Sequence, residues 1–261
     1  MRKSAALILF ATLIAMTHNA PAASPETGFL NRKIAVDGTE SRYVVYVPSD
    51  WNVARAWPVV LFLHGAGERG TDGLIQSEVG LGSAIRRHAD RFPAVVVMPQ
   101  CADDVWWTAP AMQALALAAL DAAVREFHGD PARVYLTGLS MGGYGTWAIA
   151  ANNPGRFAAL APVCGGIRRP ARLGIDENAS TAGDPYAEAA RKVGRTPIWI
   201  FHGGADDTVP VSESRRMAEA LKAAGNAARY TEYEGVGHNS WDKAYDEAEF
   251  ARWLFAQRLE K

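Results

Sequence analysis

Short runs of β-branched and aromatic residues alternate along the chain with longer stretches of helical period. Residues 42–47 (RYVVYV), 59–63 (VVLFL), 94–98 (AVVVM), 134–137 (VYLT), 158–163, 198–201 (IWIF) and 229–233 predict strands. Most of these runs have no polar alternation, the pattern of strands buried on both faces. Between them, 110–127 opens with proline and carries a nearly all-apolar core face, 141–152 is small and apolar, 212–224 stops at Gly225, and 240–258 closes the chain; all four predict helices. The alternation predicts an α/β fold with a mostly parallel central sheet and helices on both faces. Residues 165–183 are rich in Arg, Pro, Gly and Asp and predict a loop or small lid.

Composition narrows the picture. The 261 residues are 49% apolar and 21% charged, a globular balance, and they are enough for one large α/β domain without staples. The formal net charge is −1, which implies no basic face and argues against nucleic acid as a partner. The N-terminus reads Met1-Arg2-Lys3, then an apolar stretch of about a dozen residues, then Ala20-Pro21-Ala22. This is the pattern of a secretory signal peptide cleaved after Ala22, too short to cross a membrane as a helix. We therefore expect residues 1–22 to be an export signal, 23–261 to be a single catalytic domain, and the protein to be periplasmic or secreted with no stable membrane insertion after cleavage. The two cysteines, Cys101 and Cys164, fall at the ends of strands that the usual strand order separates by three spacings, too far for a disulfide, and are expected to be free. They cannot form a four-cysteine zinc site, and no H-E-x-x-H or phosphate-loop lysine is present, so no metal or cofactor is expected.

The chemistry concentrates at Gly138-Leu139-Ser140-Met141-Gly142, directly after the VYLT run and at the start of a helix. G-x-S-x-G between strand and helix is a nucleophile elbow: the serine occupies a strained turn, and the glycines let strand and helix approach closely. A serine hydroxyl needs a base. Of the histidines after Ser140, His238 alone leaves room for an acid in the order serine, acid, histidine; His202 and His64, each before a glycine at a strand end, are expected to pack beneath the loops. The acid is Asp206 or Asp207, just past the IWIF strand. The oxyanion hole needs two N–H donors, one from Met141 and one from the glycine-rich loop 64–70, either Ala66 or Gly67. Trp106, Trp107, Tyr144 and Trp241 crowd the same rim and are candidates to wall an acyl or aryl pocket.

The segments HGAGERG, PQC followed by WW, GLSMGGYGTW, PVCGG, FHGGADDTVP and GVGHNSW resemble, in this order, the α/β-hydrolase superfamily, covering about residue 45 to the C-terminus. They are most similar to its small secreted serine esterases of the feruloyl-esterase-like, poly(hydroxyalkanoate)-depolymerase-like and phospholipase/carboxylesterase-like kinds. The resemblance implies Ser140, Asp206 and His238 as a triad; its D-x-x-V-P spacing favours Asp206. It implies a hydrolase for carboxylic esters, with a small-molecule or polysaccharide-linked ester as partner. A peptidase of the prolyl-oligopeptidase type is the rival, though such enzymes carry a large extra domain. A non-catalytic binding protein of the same fold is a weaker one, since it would be expected to have lost a triad member. The chain departs from its relatives after Cys164-Gly165-Gly166, where Ile167-Arg168-Arg169-Pro170 stands in place of glycine and aspartate. These arginines and the polar 165–183 segment predict short acyl or hydroxycinnamoyl esters rather than long-chain lipids.

Overall fold

A computed structural model describes residues 26–170 and 183–259. The expected signal segment and most of the 165–183 loop lie outside them.

Eight strands form one sheet in the order β1-β2-β4-β3-β5-β6-β7-β8. Strands β1 (Gly28–Val36) and β2 (Thr39–Val47) make an antiparallel hairpin, and β2 runs antiparallel to β4 (Val95–Pro99). From there β3 (Trp57–Leu63), β5 (Gly129–Leu139), β6 (Ala159–Val163), β7 (Trp199–Gly203) and β8 (Arg229–Tyr233) are all parallel. Strand β1 escapes a search for apolar runs because Asn31, Arg32 and Lys33 interrupt it. Its turn, Asp37-Gly38, has φ of 49° and 80°, and Val36 pairs with Thr39. Positive φ at both central residues is what a two-residue hairpin with the native twist requires, and Asp-Gly is its sequence signal.

Every residue of β3 and β4 is buried. Alternate side chains of β3 feed two cores. Val59, Leu61 and Leu63 join one with Leu120, Trp147, Tyr186 and Met217, while Val60 and Phe62 join the other with Leu81, Tyr245 and Phe250. The first core therefore holds α2 (Pro110–Glu126), α3 (Met141–Asn152), α4 (Pro185–Val193) and α5 (Ser212–Ala223). The second holds α1 (Leu81–Arg87), α6 (Trp241–Asp246) and α7 (Ala248–Ala256). The expected closing helix 240–258 is thus two helices, broken at Glu247, whose backbone is extended (φ −61°, ψ 123°). In one continuous helix, positions five apart differ by about 140°, so Tyr245 and Phe250 could not both face the sheet. The break lets both bury, with ring centroids 5.4 Å apart.

Among the described residues no helix is long and apolar enough to cross a membrane. Cys101 and Cys164 are free and buried, as the strand spacing predicts.

Candidate active site

The parallel strands all end on one edge of the sheet, the edge where ligands bind in open α/β folds. Ser140 follows β5 there. Its φ of 52° and ψ of −117° place it in the left-handed half of conformational space. Such strain persists only where the surroundings enforce it. Here a Cβ on Gly138 would meet the Gly142 carbonyl oxygen at 2.4 Å, and one on Gly142 would meet the Leu63 carbonyl oxygen at 1.9 Å. Strand, turn and helix close on each other only because those positions lack side chains.

His238, in the loop after β8, brings Nε2 to 2.9 Å from Ser140 Oγ and Nδ1 to 2.7 Å from Asp206 Oδ2. An ionised carboxylate only accepts, so His238 Nδ1 carries the proton, and Nε2 accepts from the Ser140 hydroxyl. Asp206 sits in the loop after β7 with its side chain fully buried. Its Oδ1 accepts the N–H groups of Thr208 and Val209, each at 2.8 Å. Burial alone would raise this carboxyl. The hydrogen bonds from His202, His238 and Val209 outweigh it and hold the group well below the usual carboxylate range. Asp207, the alternative, is exposed and does not reach His238; its Oδ1 accepts from the Thr208 hydroxyl.

Ala66 opens a short 3-10 turn (Ala66–Glu68) after β3. Beneath it, buried His64 accepts the Cys101 N–H at Nε2 (2.9 Å), so its Nδ1–H donates to the Gly65 carbonyl at 2.6 Å. In a trans peptide the C=O and the following N–H point opposite ways. Tying the Gly65 carbonyl down to His64 therefore aims the Ala66 N–H away from it, toward the cavity. Arg69 Nε braces the same turn through the Ala66 carbonyl at 3.0 Å. Among the described residues neither the Met141 nor the Ala66 N–H donates to another group. Sequence spacing gave no hint of the bracing by His64 and Arg69.

Burial lowers the His64 imidazole from 6.5 to about 4, so it stays neutral in the fold. The unfolded chain then binds the extra proton as pH falls from 6.5 toward 4, and stability declines over that window. At 1.36 kcal/mol per pKa unit, this one group should cost about 3 kcal/mol across it. Urea midpoints measured at pH 7.5 and 4.5 should differ by less in His64→Gln than in wild type. Equal differences would remove His64 as the source.

Ser140, Ala66, Met141 and His238 line a cavity of about 540 Å³ whose walls include Trp106, Tyr144 and Trp241. Trp106 packs edge-on to Tyr144 at 5.6 Å, and the Arg169 guanidinium lies 3.9 Å from the Trp106 ring centre. Trp241 meets the His238 ring edge-on at 5.4 Å. Trp107 is a correction. It is fully buried, donates Nε1–H to the His64 carbonyl at 3.0 Å, and is absent from the cavity wall. The missing side chain of Gly145 makes its place, since a Cβ there would meet Trp107 Cβ at 2.4 Å. A second cavity, of about 210 Å³, shares Tyr144 with the first and does not include Ser140.

Among the described residues one group, Cys164, Asp206 and His238, brings possible metal-ligand atoms within 4.8 Å of one another. Two of the three are already bonded together, and burial pushes the Cys164 thiol up to about 12, against the thiolate a metal requires.

Residues 35–257 match the family model described as "Putative esterase". A solved thermostable esterase superposes with a TM-score of 0.74 at 34% identity, covering 88% of this chain and 63% of the other. A ferulic acid esterase superposes at 0.67 over 87% and 98%, with 17% identity, a likeness of fold alone. A curated relative from Methylorubrum extorquens, named "Putative carboxymethylenebutenolidase", is 37% identical over 123 residues, 46% of this chain and 39% of its own length. The chain thus spans well under two thirds of that relative and slightly under two thirds of the thermostable esterase. The fold is the α/β-hydrolase fold, and the chain belongs to the esterase family that its own elbow, acid and histidine loops first resembled.

Proposed function

We propose that this protein is an exported serine esterase that hydrolyses small carboxylic esters through an acyl-enzyme, with a preference for short acyl or hydroxycinnamoyl groups. One observation carries the reading: an unbroken hydrogen-bonded line from Ser140 through His238 to Asp206, opening into a cavity with two unengaged backbone N–H groups beside the serine.

The chemistry follows from that geometry. Ser140 Oγ attacks the ester carbonyl carbon as His238 Nε2 takes its proton. Asp206 steadies the imidazolium and keeps its own charge. The oxyanion forms opposite the Met141 and Ala66 N–H groups, which are already oriented and cost no reorganisation. The intermediate collapses, the C–O bond to the alcohol breaks, and His238 returns its proton to the leaving oxygen. Water, deprotonated by His238, then attacks the acyl carbonyl and releases the acid, restoring Ser140.

The walls support the substrate class. Trp106 and Trp241, each partly exposed, offer aromatic surface to an aryl group or a sugar, with buried Tyr144 beside Trp106. A panel of p-nitrophenyl esters from acetyl to palmitoyl, with a methyl hydroxycinnamate and a proline anilide, tests the reading. We expect kcat/KM for palmitoyl to fall at least about tenfold below the short-chain optimum. An optimum at twelve carbons or longer, or cleavage of the anilide in preference to esters, would overturn it.

A further inference from the structure

The carboxylate of Asp206 is not held by His238 alone. His202, the fourth residue of β7, is completely buried and brings Nε2 to 3.2 Å from Asp206 Oδ2, the same oxygen that accepts His238 Nδ1–H. Its Nε2 also lies 3.0 Å from the Val209 carbonyl. A carbonyl and an ionised carboxylate can only accept, so Nε2 must carry hydrogen. On the other side of the ring, Nδ1 lies 2.7 Å from the Oγ of Ser214, buried in the first turn of α5, whose hydroxyl can donate to it. Ser214 on α5 therefore sets the tautomer of His202, and that tautomer places one N–H between the Val209 carbonyl and Asp206 Oδ2, shared by the two. Asp206 then has every oxygen engaged: Thr208 and Val209 amides on Oδ1, His238 and His202 on Oδ2.

We infer that His202 is a positioning residue for the acid of the triad, extending the line to Ser140–His238–Asp206–His202–Ser214. This rests on the esterase reading above. The physical reason is that His238 stands in a solvent-accessible loop, while β7 lies inside the sheet, paired to β6 on one side and β8 on the other. A bond from the rigid strand fixes where Oδ2 sits, and so fixes the orientation of an imidazole that the loop alone would leave loose. The two backbone amides hold Oδ1 but come from the same loop as Asp206, so they cannot tie the carboxylate to the sheet. The packing role expected for His202 from its sequence position is real, but its contact with Asp206 gives it a second duty.

The test compares two near-isosteric polar variants. In His202→Gln the amide nitrogen reaches the place of Nε2 and can still donate to Oδ2. In His202→Asn it stops at the depth of Nδ1 and cannot. Each is assayed with p-nitrophenyl butyrate, with active sites counted by fluorophosphonate labelling so that misfolded molecules do not enter kcat. We expect His202→Gln to keep kcat per active site within about threefold, and His202→Asn to lose roughly 10- to 100-fold in kcat with KM nearly unchanged, the size of effect a small misplacement of catalytic groups produces. If Asn and Gln variants have equal kcat per labelled site, or if both lose only the number of labelled sites, His202 serves packing alone and the inference fails. A wild type that neither labels nor turns over any ester fails the esterase reading instead, a separate result from either of these.

Discussion

Replacing Ser140 with alanine should lower kcat for ester hydrolysis by about 10⁴- to 10⁶-fold while the thermal midpoint stays where it was. The elbow holds this position at φ 52°, and alanine bears that strain no worse than serine, so the fold has no reason to respond. The hydroxyl lost is the one 2.9 Å from His238 Nε2, and nucleophile and base act as a unit, so removing one member forfeits nearly the whole of their joint contribution. What survives is the residual owed to oriented N–H groups and binding. Fluorophosphonate labelling should vanish in parallel. The nearby thiol of Cys164 provides a sharp control. It is fully buried, and burial pushes it up to about 12, so it should not stand in as nucleophile. Residual activity above about one part in 10³ that is abolished by a thiol reagent would show that it does.

Much of this site could be read before any coordinates, because its chemistry imposes its own spacing. The elbow must be G-x-S-x-G where backbone atoms approach as closely as Gly142 and Leu63 do. The order serine, acid, histidine left one histidine. What could not be read depends on which way a side chain turns at the end of a strand. Trp106 and Trp107 are neighbours, and nothing in their identity says that one walls the cavity while the other fills the gap left by Gly145. His64 and His202 occupy matching places at the ends of β3 and β7. Packing under the loops describes both, yet each has its polar atoms bonded toward a group the chemistry needs. Charge hid β1, whose Asp37-Gly38 turn was the better signal. Helix α4 follows Asp184, which caps it by accepting the Tyr186 N–H at 3.0 Å, and Pro185 at its first position. Those cues are local and short, and they follow directly on an irregular stretch that carries no helical period.

Gly142→Ala should be the most damaging single methyl group that can be added near the site. An ideal Cβ there falls 1.9 Å from the Leu63 carbonyl oxygen, 2.5 Å from the Leu63 carbonyl carbon and 2.8 Å from the His64 carbonyl oxygen. All three are backbone atoms at the end of β3, a fully buried strand in the middle of the sheet. No flexible side chain can move aside, so helix α3 must shift from the strand. We expect a loss of about 3 kcal/mol or more, the upper range for overpacking a rigid core. The shift has a second consequence. Leu63 and His64 lead directly into the turn that carries the Ala66 N–H, and α3 begins with the Met141 N–H. Driving the two apart opens the space between the two donors, so folded molecules should also lose roughly 100-fold in kcat, as a displacement near 1 Å can cause. Gly237→Ala is the matched control: a Cβ there meets nothing within 4 Å, and stability should stay within about 0.5 kcal/mol. Urea midpoints and kcat per labelled site for the two variants separate the effects. A Gly142→Ala protein with both values near wild type would mean that helix and strand can part without disturbing the donors, and the close approach at the elbow would then lose its claim to shape the oxyanion site.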